Sequence, residues 1–205
     1  MLKSSAVVSS PPAVPTSLSD RAAADLRFIR QTMAHAAAFT AVSGTGYLAI
    51  GAGALISAWF AGRVSTPAAW LLIWIADALL SIGVGMASTL RKAHRARQPL
   101  LTGAFRKFAL GFAPVMLVGS VMTGVLWTLR AYDVLPGLWL LCYGAGLIAG
   151  GAYSVPVVPL MGVCFLALGI AAAWWAPQIG ALAMVAGFGG LHVIFGIVLV
   201  RRYGG

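Results

Sequence analysis

Apolar residues in this chain come in long, nearly unbroken runs instead of the alternating or helix-periodic stripes of a water-soluble domain. Six runs follow one another, at about 41–61, 68–89, 108–129, 136–154, 157–175 and 179–200. Each approaches the ~20 residues that a helix needs to cross a hydrocarbon layer of about 30 Å. The pattern predicts an all-α membrane protein, a bundle of six transmembrane helices. Pro114 falls inside the third run, where it predicts a kink, and Pro136 suits the first turn of the fourth. The stretch from Pro136 to Pro177 has room for two crossings and a tight turn, with a re-entrant pair as the topological alternative.

Ahead of these runs the pattern changes. Residues 1–19 are rich in Ser, Pro, Ala and Val without a continuous apolar core, so they read as a disordered cytoplasmic tail and not as a secretory signal. From 20 to 40, Leu26, Ile29, Met33 and Ala37 recur at helical spacing, with Arg27, Arg30 and Gln31 away from that seam. Ser19 or Asp20 can cap the start. This segment reads either as a short amphipathic cytoplasmic helix lying on the inner membrane surface or as a leader that continues the first span.

Composition agrees with lipid as the solvent. Of 205 residues 60% are hydrophobic and 9% charged, against about 25% charged in soluble domains. The net charge of +10 is not a nucleic-acid signature, because the cations sit between apolar runs and not on a water-exposed scaffold. They also set an orientation. With the N-terminus inside, of 14 Lys and Arg residues only Arg63 and Arg130 fall in outer loops. Both termini are then cytoplasmic, and Trp70, Trp127, Trp139, Trp174 and Trp175 lie near the outer face as interfacial aromatics.

Few residues offer chemistry. Asp77 stands near the middle of the second run, where an ionised carboxylate costs about 2.5 to 3.5 kcal/mol. Trp74, Ser81 and Ser88 share its helix face, so this seam is expected to face the bundle. Asp77 is open to two readings, a proton- or cation-binding group or a hydrogen-bonded anchor between helices. His192, the only histidine inside a run, lies about one turn deeper, near the level of Ser81; that depth allows a relay pair with Asp77, and the alternative is a hydrogen bond from the imidazole to a neighbouring backbone or hydroxyl group. The basic segment after the second run holds Arg91, Lys92, Arg95, Arg97, Arg106 and Lys107. It serves either as a topology signal alone or as a contact for anionic lipid headgroups or an acidic partner. Arg130 and Asp133 are placed to pair locally in an outer loop.

Other chemistries lack their residues. Cys142 and Cys164 have neither redox nor metal-ligand spacing and read as packing groups. Bis-histidine haem ligation is not expected, since His35 and His94 belong to the cytoplasmic side. The Gly-rich stretch from Gly144 to Gly151 has no strand before it and reads as helix packing. No nucleophile, metal cluster or acid pair marks an enzyme, and no cofactor is expected. Small residues at four-residue spacing, among them Gly53 with Ser57, Ser81 with Gly85 and Ser120 with Gly124, suit close helix packing or a homo-oligomer. The echo of Ala58-Trp59-Phe60 in Ala173-Trp174-Trp175 is too short to establish an internal repeat.

Two stretches carry a resemblance. Val158-Pro159-Leu160-Met161-Gly162, and Gly190-Leu191-His192-Val193-Ile194-Phe195-Gly196 with the closing Arg201-Arg202-Tyr203-Gly204-Gly205, resemble a group of uncharacterised bacterial six-span membrane proteins. The resemblance covers most of the chain after Asp20. It implies a bacterial inner-membrane address, with His192 in the typical closing segment, and brings no activity, cofactor or substrate. The expected function is a non-enzymatic accessory or sensor protein acting through its basic inner surface. The alternative is a small proton-coupled permease using Asp77 and His192. A water-filled route to Asp77 favours the permease, and a dry, packed Asp77 favours the accessory role.

Overall fold

The computed structural model describes residues 21–29, 42–95, 103–176 and 178–203. The tail expected over residues 1–19 lies outside these, as do Arg97, His35 and the second half of the segment 20–40. The chain divides into two units, residues 1–37 and 38–205. In the first, residues 21–29 form a helix, α1, with Leu26, Phe28 and Ile29 exposed and the Arg27 Nε donating to the Ala23 carbonyl at 3.2 Å.

Among its described residues the second unit is built of helices and short connections, with no strand. Its members are α2 (Gly44–Ala61), α3 (Pro67–Arg95), α4 (Gly103–Thr128), α5 (Leu135–Gly151), α6 (Val157–Trp174) and α7 (Gly180–Tyr203). Among the described residues six helices are thus long and apolar enough to cross a membrane, the fourth counted with the 3-10 turn Tyr132–Val134 that leads into it. This is an all-α membrane bundle. Both α5 and α6 qualify by length and composition.

Local chemistry sets several boundaries. The Ser43 hydroxyl caps α2 by accepting from the Gly46 N–H. Thr66 accepts from the Ala69 N–H at 3.3 Å, and Pro67 opens α3 where its missing N–H costs nothing. Arg130 closes the loop after α4 at a φ of 57°, a left-handed conformation that glycine usually fills. Helix α4 runs on through Pro114. Helix α7 departs from a simple rod, because Val185–Leu191 is a π-helical turn between two α-helical stretches.

The core lies where α5, α6 and α7 meet. Leu140, Leu147, Val158, Met161, Phe165 and Leu199 are almost fully buried there. Helices α5 and α6 approach so closely that a Cβ on Gly144 would sit 2.7 Å from the Gly162 carbonyl, and one on Gly162 equally near the Gly144 carbonyl. Backbone-to-backbone contact of this kind is how helices gain packing energy in lipid. Helix α2 packs along α7, where Gly51 abuts Val193 and Gly196 abuts Leu48. The two remaining helices are flanks: α3 packs on α2, and α4 on α5. Their outer faces show Leu72, Leu79, Leu80, Leu117, Val118 and Val121, an apolar surface that needs a hydrocarbon environment.

Candidate functional site

One ring from every span converges on His192. Tyr47 of α2 lies 5.4 Å from the imidazole between ring centroids, Tyr143 of α5 5.4 Å and Phe165 of α6 5.6 Å. Phe188, one turn earlier on α7, is stacked on the imidazole at 6.2 Å. Trp74 of α3 reaches this group through Phe188 at 6.1 Å, and Phe112 of α4 through Tyr143 at 5.6 Å. The π turn widens α7 just before His192, and Gly187 and Gly189 within it leave room for Phe165 and Leu55. Such turns recur at functional positions because they re-aim the side chains that follow.

At the centre, His192 Nε2 and the Tyr143 hydroxyl are 2.8 Å apart. His192 is 1% exposed. Its Nδ1 has no hydrogen-bond partner among the described residues. Either atom of the 2.8 Å contact can donate, according to which ring nitrogen carries the proton. A second buried donor near the cluster, Trp74 Nε1, has no partner.

Asp77 lies in a different seam. It is 7% exposed and accepts a hydrogen bond from the Ser57 hydroxyl of α2 at 3.0 Å, with Gly53 beneath it. Ser81 is half-buried one turn further on, and Ser88, also half-buried, packs against Gly46 of α2 while donating to the Gly85 carbonyl. The seam expected from the sequence therefore turns toward α2.

The Asp77–His192 pair is not formed. Asp77 bonds Ser57, His192 bonds Tyr143, and Trp74 is the α3 side chain that extends to α7. Matched depth along two helices says nothing about the direction around each axis, and the Asp77 face of α3 is taken by α2. Nor does an ion pair join Arg130 and Asp133 among the described residues; Asp133 belongs to the 3-10 turn and Arg130 to the left-handed cap before it. The two cysteines are free, and Cys142 packs its sulfur against Gly119 of α4. The described residues hold no group of three or more metal-ligating side chains. An open groove of about 400 Å³ lies against Leu55, Ile56, Trp59 and Phe60, and neither Asp77 nor His192 lines it.

At one end of the bundle the cations gather. The Lys92 ammonium donates to the carbonyls of Val42 and Tyr203, both at 2.9 Å, and so ties α3 to the start of α2 and the close of α7. Arg91 and Arg95 are exposed beside it, as are Arg201 and Arg202. Arg106 and Lys107 are exposed at the start of α4, the Lys107 ammonium 5.4 Å from the centre of the Tyr153 ring. At the opposite end the Arg63 guanidinium covers the Trp59 ring at 3.4 Å and donates to the Trp59 carbonyl.

Tyr143 is the site residue that sequence reasoning passed over. A signal existed. Tyrosines belong at membrane interfaces, and one in mid-run must find a partner for its hydroxyl. The class that the fold defines is a multi-pass membrane protein. No family model, curated protein or solved structure matches the chain.

Proposed function

We propose that this is a non-enzymatic accessory protein of a bacterial inner membrane, with both termini in the cytoplasm and its basic end turned inward. One observation carries the reading: the two intramembrane ionisable residues are spent on separate helix-to-helix hydrogen bonds, Asp77 with Ser57 and His192 with Tyr143. Both side chains are buried. A permease needs its titrating groups to meet water from one face and then the other. Two anchors that fasten α3 to α2 and α7 to α5 serve a rigid body better. The distribution of lysine and arginine supports the inward placement of the basic end. The closing segment's resemblance to bacterial six-span proteins supports the membrane address.

The test is ion flux. Purified protein in proteoliposomes is expected to dissipate an imposed pH gradient no faster than protein-free vesicles, and Asp77→Asn to behave the same way. A gradient-driven proton movement that Asp77→Asn abolishes overturns the accessory role and establishes the permease. Fusions reporting on the side of residues 96–102 test the orientation independently.

A further inference from the structure

We infer that the Lys92 clasp builds a binding cradle for a phosphate-rich lipid headgroup, with Arg91 and Arg95 of α3 on one side and Arg201 and Arg202 of α7 on the other. The sequence separates these two pairs by more than a hundred positions. The structure brings them to one place, because the Lys92 ammonium bonds the Tyr203 carbonyl directly beside Arg202. A second bond from the same ammonium, to the Val42 carbonyl, holds the clasp against α2. Lys92 is thus engaged in the frame, while the four arginines around it are exposed.

Charge dictates what such a cradle takes. The unit spanning residues 38–205 has two acids, Asp77 in mid-span and Asp133 at the far end of the bundle, and neither can neutralise these arginines. No acidic side chain of this unit therefore competes with an anionic ligand for these arginines. Guanidinium groups suit phosphate because two parallel N–H donors match two oxygens. Arg91 and Arg95, four residues apart, face one side of α3, and they approach the membrane at headgroup level just past the apolar part of the helix. Two arginine pairs on two helices match a headgroup with two phosphates better than one with a single phosphate. Diphosphatidylglycerol is the lipid of that chemistry. This inference rests on the bundle lying in a bilayer and is independent of whether Asp77 transports.

Native mass spectrometry of the full chain in detergent tests it, titrating diphosphatidylglycerol, phosphatidylglycerol, phosphatidylcholine and inorganic pyrophosphate. Wild-type protein is expected to hold diphosphatidylglycerol about tenfold more tightly than phosphatidylcholine, with phosphatidylglycerol between them. Replacing Arg91, Arg95, Arg201 and Arg202 by glutamine removes that preference. A control that removes as many charges elsewhere, at Arg63, Arg106, Lys107 and Arg130, leaves it in place. Equal loss in both sets means diffuse attraction and overturns the cradle, as does no loss in the first. Displacement by micromolar pyrophosphate assigns the site to soluble phosphates and overturns the lipid. If the glutamine set does not fold, Arg91→Lys with Arg201→Lys keeps the charge and removes the fork; unchanged selectivity in that variant overturns the proposal, and a several-fold fall supports it.

Discussion

The Tyr143 hydroxyl and His192 Nε2, 2.8 Å apart, join α5 to α7 at the point where rings from all six spans meet. Removing the hydroxyl alone leaves a buried ring nitrogen with nothing to bond. Tyr143→Phe is expected to destabilise the fold by about 1–3 kcal/mol. His192→Phe combined with Tyr143→Phe replaces both polar partners by rings and is expected to cost less than the two single changes added together. Thermal unfolding of the four proteins in detergent gives the coupling energy, and strict additivity disproves a functional bond between them.

Asp77 is bonded to Ser57, and asparagine keeps an acceptor of the same shape. Asp77→Asn is therefore expected to unfold within about 0.5 kcal/mol of wild type. Ser57→Ala strips the donor from a buried carboxyl group and is expected to cost about 0.6 to 1.7 kcal/mol, the range for polar contacts between membrane helices. Chemical denaturation in mixed micelles distinguishes them. Equal losses for both variants count against the assignment.

Glycine positions separate sharply. A side chain at Gly144 drives into the Gly162 carbonyl, whereas a Cβ on Gly124 meets nothing within 4 Å. Gly144→Val is expected to abolish the folded protein or to lower its unfolding midpoint strongly, since backbone has no room to yield. Gly124→Ala is expected to be neutral or slightly stabilising. Fluorescence-detected size exclusion of the two variants is a direct comparison.

Arg130 occupies left-handed backbone at φ 57°. Arg130→Gly relieves that conformation, and a gain of about 0.5–1 kcal/mol is expected, read as a higher unfolding midpoint. Arg130→Ala keeps the strain and is expected to show no gain.

The six helices were legible in the sequence because lipid imposes a length and a composition that no other constraint mimics. So was the burial of Asp77 and His192, since neither is tolerated facing hydrocarbon. Their partners were not. A run of apolar residues fixes depth and leaves rotation about the axis free, so Ser57 and Tyr143 could not be chosen over any other polar group at that level. The π turn in α7 was also hidden. Gly187, Gly189 and Gly190 hint at a weak stretch of helix, yet glycine at these positions serves close packing equally well. Likewise Lys92 reads as one more cation of a basic segment until the carbonyls of Val42 and Tyr203 are seen around it.

Helices α3 and α4 follow one another in the chain, yet each is fastened to a different neighbour, α3 to α2 and α4 to α5. The order of synthesis then matters. As α4 emerges, the helix it needs has not been made, whereas α3 docks at once on a partner already in the bilayer. A nick between α3 and α4 would divide the protein into a piece with two spans and a piece with four, and the long seam of α2 with α7 would still hold the spans together.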